Sequence, residues 1–193
     1  MTYVDLVVED VLQEAAARRV VAAHAARVTV RRVFGKRGCA FIDSNIHRYA
    51  QASRYGRFLV IRDLDALECA PALARQLLPE GEPGGLVLCV AVREVEAWLL
   101  ADAESLGEYL GVGQFEVPSP EAVLDPKKLL IDCARRSRIR RIREGLVPVG
   151  VARVGPLYNS SMLRYVNEHW RVHRAAGRSP SLLRFVQKMA AFG

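Results

Sequence analysis

Three apolar runs in this chain each end on carboxylates: Val4–Val8 on Glu9, Phe58–Ile61 (then Arg62) on Asp63 and Asp65, and Leu86–Val92 on Arg93 and Glu94. Carboxylate oxygens gathered from separate segments repel one another unless a cation joins them, and hard oxygen donors suit Mg²⁺ or Mn²⁺. In Asp63-Leu64-Asp65 an extended backbone sends both carboxylates to one side and Leu64 to the other. The expected site is therefore Glu9, Asp63 and Asp65, with Glu94 as a possible fourth ligand. Such a metal centre activates water and stabilises the charge of a phosphoryl transition state. Solvated loop acids are the competing reading, and for Glu96 a first-turn charge on a helix is the better one.

Other chemistry finds little support. The chain lacks GxSxG, Walker A and GxGxxG patterns. Cys39, Cys69, Cys89 and Cys133 are scattered without a CxxC pair and read as reduced core or boundary residues. His169 and His173 have the four-residue spacing of a zinc pair, but Glu168 precedes the first histidine and no third ligand is evident. A surface or packing role is expected for both, and a core or boundary role for Trp98 and Trp170.

The elements that must position the carboxylates follow from the same apolar runs. Strands are expected at Tyr3–Val8, Val28–Val33, Arg57–Arg62 and Leu86–Val92, with helices after the first three. The β-α-β-α-β-α-β alternation predicts an α/β fold with a mainly parallel four-stranded sheet covered by helices on both faces. All four acids then lie at the carboxyl edge, where open parallel sheets bind ligands. Helices are expected over Glu94–Ala101, Ala103–Leu110, Pro126–Arg136 and a basic stretch to Arg143. A last helix has Ser179 as N-cap, Pro180 at its first position and Leu182, Phe185, Val186 and Met189 at core spacing. Residues 1–110 form the expected α/β core and 111–193 a basic helical extension packed on it.

With 193 residues, 51% of them apolar, the chain suffices for one substantial core. No uninterrupted apolar run approaches the ~18 residues of a membrane span, and the amino terminus is unlike a secretory signal, so a soluble cytoplasmic protein is expected. The net charge of +7 is unevenly spread. Residues 1–125 hold 13 Lys/Arg against 18 Asp/Glu, whereas 126–193 hold 15 against 3. This polarity suits a cation-holding core beside a surface that attracts nucleic acid, or else a solvated basic face. The candidates for phosphate contact are Lys36 and Arg37 in a glycine-flanked loop, and Arg136, Arg140 and Arg143 at helical spacing. Intramolecular pairing competes for these bases.

The segments VVED, IRDLDALECAP and VAVREVEAWLLAD resemble the Toprim-like, Rossmann-like fold, and most of all an uncharacterised bacterial branch found near restriction and phage-defence genes. DPKK at Asp125–Lys128 and SPSLLR at Ser179–Arg184 carry the resemblance through nearly the whole chain. It implies that Glu9 does acid/base or metal work, that Asp63 and Asp65 bind Mg²⁺ or Mn²⁺, and that the protein is a nuclease or another phosphodiester-acting enzyme. Asp10 stands where Toprim chains usually carry glycine, and Glu14 or Gln13 where a further acid commonly follows. The alternative expectation is a non-catalytic module that binds nucleic acid or a partner ATPase within a defence complex.

Overall fold

The computed structural model describes residues 1–67, 69–113 and 115–192. Four strands, β1 (Thr2–Val8), β2 (Val28–Gly35), β3 (Phe58–Asp63) and β4 (Leu86–Ala91), form one sheet in the order β2-β1-β3-β4, with every pair parallel. Helices α1 (Val11–His24), α2 (Cys39–Ala52) and α3 (Ala70–Leu77) connect them. This is the expected α/β architecture, with strand bounds within two residues of those read from the apolar runs.

Alternation along the strands sorts the core into two sides. Val4, Leu6 and Val8 of β1, Leu59 and Ile61 of β3, and Cys89 and Ala91 of β4 pack with α1 and the later helices. Val7, Phe58, Val60 and Leu88 face the other way, against Ile42 and Ile46 of α2. β3 is buried at every position, as a central parallel strand covered on both faces must be. β2 is an edge strand. Its exposed Arg31 and Arg32 both reach across to Asp5, buried on β1, and hold that carboxyl below its ordinary pKa against the cost of burial.

After β4 the chain is helical: α4 (Val95–Leu100), α5 (Ala103–Leu110), a short 3-10 turn at Pro120–Ala122, α6 (Pro126–Arg135), α7 (Arg140–Leu146), α8 (Tyr158–Glu168), α9 (Val172–Ala176) and α10 (Pro180–Phe192). These helices share one continuous apolar cluster with the sheet, centred on the fully buried Trp98, Trp170, Tyr165 and Phe185. Among the described residues no helix is long and apolar enough to cross a membrane. Leu182 N–H donates to Ser179 Oγ at 3.3 Å, so Ser179 is the N-cap expected for α10.

The basic stretch departs from expectation. α6 stops at Arg135, and α7 begins only at Arg140. Between them the buried Ser137 hydroxyl donates to the Leu110 carbonyl and accepts the Ile139 N–H, drawing the backbone away from the helix. Arg136 therefore shares no helical face with Arg140 and Arg143. His169 ends α8 while His173 lies in α9, so those two histidines share no helix either.

Ser181 joins the sheet edge to the helical half: its buried Oγ accepts Trp98 Nε1–H at 2.8 Å and Val92 N–H at 3.3 Å. Ser181→Ala leaves the indole N–H buried without a partner and is expected to cost about 1–3 kcal/mol, read as a lowered midpoint in urea unfolding.

Candidate functional site

The order β2-β1-β3-β4 reverses direction at β1, because the chain passes first to β2 on one side and then to β3 on the other. The carboxyl ends of β1 and β3 therefore flank the crevice in which open parallel sheets hold ligands. Glu9 spans it: its Oε1 accepts the Asp63 N–H at 2.7 Å. The turn after β1 is fixed from both sides, since Glu9 N–H donates to Gln13 Oε1 at 2.9 Å and the Glu9 carbonyl accepts Gly38 N–H at 3.1 Å. Gly35 is required where β2 closes on β1. Its φ is +94°, and a Cβ there would stand 2.2 Å from the Val8 carbonyl oxygen.

Asp10 has its own task. Its Oδ1 accepts Leu12 N–H at 2.8 Å and Gln13 N–H at 2.9 Å, which caps α1, and its φ of −151° is extended backbone that needs no glycine.

Arg62 occupies the middle of the site, with a side chain only 5% exposed. Its Nε donates to Asp43 Oδ1 at 2.9 Å and its Nη2 to Asp43 Oδ2 at 3.2 Å. Nη1 bonds Asp65 Oδ2 at 2.8 Å, lies 3.5 Å from Glu9 Oε1 and also donates to the Asp63 carbonyl. Its carboxylate neighbours push its pKa above the ordinary arginine value despite burial.

Ligand atoms of Glu9, Cys39 and Asp65 all lie within 4.8 Å of one another. Asp63 is not in that group. The reading that sent Asp63 and Asp65 to one side assumed extended backbone, but Asp65 has φ +54° and its N–H bonds the Arg93 carbonyl at 2.7 Å. Asp65 turns toward Arg62 while Asp63 is buried, and Asp63 Oδ1 has no hydrogen-bond partner among the described residues. Burial, reinforced by the charges of Glu9, Glu96, Asp10 and Asp65, lifts the Asp63 pKa well above the usual carboxylate range. Burial also raises Glu9, against the opposing Asp63 N–H and Arg62 charge.

Glu94 is committed elsewhere. Its two oxygens accept Lys127 N–H at 2.7 Å and Lys127 Nζ at 3.0 Å, so it satisfies the amino end of α6 rather than joining Glu9. Beside it, Glu96 is 2% exposed, accepts the Tyr158 hydroxyl at 2.9 Å and lies 3.2 Å from Lys127 Nζ. Burial pushes the Glu96 pKa up to about 7 against the lysine's charge. Glu96 does lie in the first turn of α4, as expected, and there it is buried in an ion pair with Lys127.

The chain matches no family model, no curated protein and no solved structure. What the edge can do rests on its own groups.

The basic candidates divide. Lys36 Nζ is 2.6 Å from Glu14 Oε2, which also binds Arg18, so both Lys36 and the acid expected near Glu9 are engaged with each other. Arg37 is exposed and stacks over Phe41 at 5.4 Å. Arg140 pairs with Glu144 at 2.7 Å, Arg136 approaches Cys133 Sγ at 3.5 Å, and Arg143 donates to the Ser137 carbonyl. Arg62, Asp43 and Cys39 escaped the sequence reading. Period-two alternation carried a signal for Arg62, which it places on the α2 side of β3, and the four-residue spacing of Cys39 and Asp43 puts both on one face of α2.

Proposed function

We propose that this edge binds a divalent cation, Mg²⁺ or Mn²⁺, through Glu9, Asp63 and Asp65, and that the protein is a Toprim-like nuclease acting on phosphodiester bonds. The observation that carries the reading is Asp63 Oδ1, buried without a partner among the described residues and in the field of Glu9, Glu96, Asp10 and Asp65. A buried carboxylate oxygen costs stability unless something satisfies it, and the like charges around it favour a proton or a cation as that partner. Glu9, Asp43, Asp63 and Asp65 outnumber the single guanidinium of Arg62, so the charge balance also leaves room for a divalent ion.

When bound, the cation would supply a lowered water pKa and neutralise developing phosphoryl charge. The chain's own groups do the rest. Arg62 fixes the Asp65 carboxylate, and the Asp63 N–H fixes Glu9 across the crevice, where it is placed for acid/base work. The test is cleavage of DNA and RNA oligonucleotides with Mg²⁺ or Mn²⁺. Wild type cuts at least one, and the Asp63→Ala, Asp65→Ala double variant cuts none; undiminished cleavage by that variant would sink the reading.

A second reading, a non-catalytic module that binds nucleic acid or a partner ATPase of a defence complex, draws support from Arg62. The guanidinium already bridges Glu9 and Asp65 and serves as a built-in cation. Titration calorimetry separates the two: Mn²⁺ binding that depends on Asp63 favours the nuclease, and nucleic-acid binding with no Mn²⁺ heat favours the module.

A further inference from the structure

Beside the acidic centre lies a cleft of about 590 Å³, lined by Asp65 and Arg93 together with Lys128, Arg135 and Arg153. Its acids are already engaged. Asp65 binds Arg62, Glu94 binds Lys127, Asp125 accepts the Lys128 N–H at 2.8 Å, and Asp132 meets Arg135 at 3.4 Å. Among the described residues Arg93, Lys128 and Arg153 pair with no carboxylate, against Asp125 alone of the lining acids without a cation partner, so the cleft keeps a net positive charge. Arg93 also holds φ +66°, a backbone conformation that costs a non-glycine residue energy and recurs at binding sites.

Arg135 also lines a second hollow of about 380 Å³, together with Arg143, Glu144, Val147 and Val149, and there Glu144 is paired with Arg140. Bases thus run from the acidic centre past Arg135 to Arg143, on segments that come together only in the fold. A free nucleotide fills the first hollow alone, whereas a chain of phosphates uses both.

We infer that this track is the nucleic-acid binding surface, in which Arg93, Lys128 and Arg153 hold backbone phosphates of a single strand and Arg135 and Arg143 extend the contact. The inference rests on the phosphodiester reading and deepens it by naming the polymer and its path. It assigns strand binding to residues other than Lys36 and Arg37, and retains only Arg143 of the α6–α7 candidates.

The experiment is fluorescence anisotropy of a labelled single-stranded oligonucleotide over a KCl series in EDTA. Each single-strand phosphate contact contributes about 0.7 to the slope of log K against log salt, so an R93Q/K128Q/R153Q variant should lose about 2 units of slope. Its affinity should fall roughly tenfold or more, and Arg153→Gln alone should lose about 0.7. Arg27, Arg48 and Arg54, exposed at the opposite, amino edge, supply the charge control R27Q/R48Q/R54Q. Unchanged slope in the cleft variant, an equal loss in the control, or ATP binding as tight as the oligonucleotide overturns the inference. Because binding is read without metal, a protein that binds through the cleft but never cleaves overturns the nuclease reading alone. Cleaving wild type whose cleft variant keeps full affinity overturns the cleft alone.

Discussion

Lys127→Ala is expected to destabilise the protein by about 3–5 kcal/mol, because it leaves the buried Glu96 and the half-buried Glu94 without their counter-ion. Lys127 Nζ sits 3.0 Å from Glu94 and 3.2 Å from Glu96, and Glu96 is 2% exposed, so its carboxylate depends on the lysine for charge compensation. For a chain of this length each kcal/mol moves the melting temperature by roughly 2–4 °C, which puts the expected drop near 6–20 °C. A variant within about 1 kcal/mol of wild type would mean the pair holds its charge in some other way. The pH dependence has a definite sign. Glu96 titrates at about 7 when folded against 4.5 for an ordinary glutamate, so the folded state binds its proton more tightly than the unfolded chain. This group's contribution is therefore most favourable below pH 4.5 and is lost as pH rises through about 7. Removing Lys127 steepens that loss above neutrality, and Glu96→Gln abolishes it. Urea unfolding of the three proteins at pH 5 and pH 8 reads both effects. A Lys127→Met, Glu94→Gln, Glu96→Gln triple variant should recover much of the lost stability, since isosteric neutral groups remove the uncompensated charge.

The fold was legible because each strand is an apolar run ended by a break, and burial on both faces is what such runs are for. Glu9 and Asp63 were legible for the same reason: one follows directly on a buried strand and the other ends one, and parallel neighbours bring such ends together. Geometry beyond the strand ends was not. The left-handed turn at Asp65 is set by its hydrogen bond to Arg93, 28 residues further on, and extended alternation cannot foresee it. Glu94 comes three residues after β4 ends, near the same edge as Glu9, yet α6 captures it through Lys127. A neighbour so distant in sequence cannot be read from local spacing. The break between α6 and α7 depends on Ser137 reaching the Leu110 carbonyl, again a tertiary contact. α8 was overlooked for a local reason. Its Tyr-Asn-Ser-Ser opening is poor in helix formers, and the stripe of Tyr158, Met162, Tyr165 and Val166 becomes a helix by packing in the core.

Arg62 separates the two functional readings most sharply, because its removal asks whether the site can use a cation from solution. Arg62→Ala is expected to cost about 3–5 kcal/mol in EDTA, since Glu9, Asp43 and Asp65 lose their common partner while Asp63 remains buried beside them. If Glu9, Asp63 and Asp65 bind a divalent ion, Mn²⁺ should return much of that loss: a ligand at about 100 times its dissociation constant adds roughly 2.7 kcal/mol to the folded state. Wild type should gain less, because the guanidinium competes for Glu9 and Asp65. The expected signature is a larger Mn²⁺-induced rise in melting temperature for the variant than for wild type, and no rise when Asp63→Asn is added. Should Arg62→Ala fail to fold, Arg62→Lys keeps the charge but loses the two-point grip on Asp43 and carries the same test in weaker form. A variant that Mn²⁺ leaves untouched would make Arg62 the only cation this edge accepts. The acids would then serve to seat an arginine between β1, β3 and α2, and the basic cleft beside them would bind nucleic acid without cutting it.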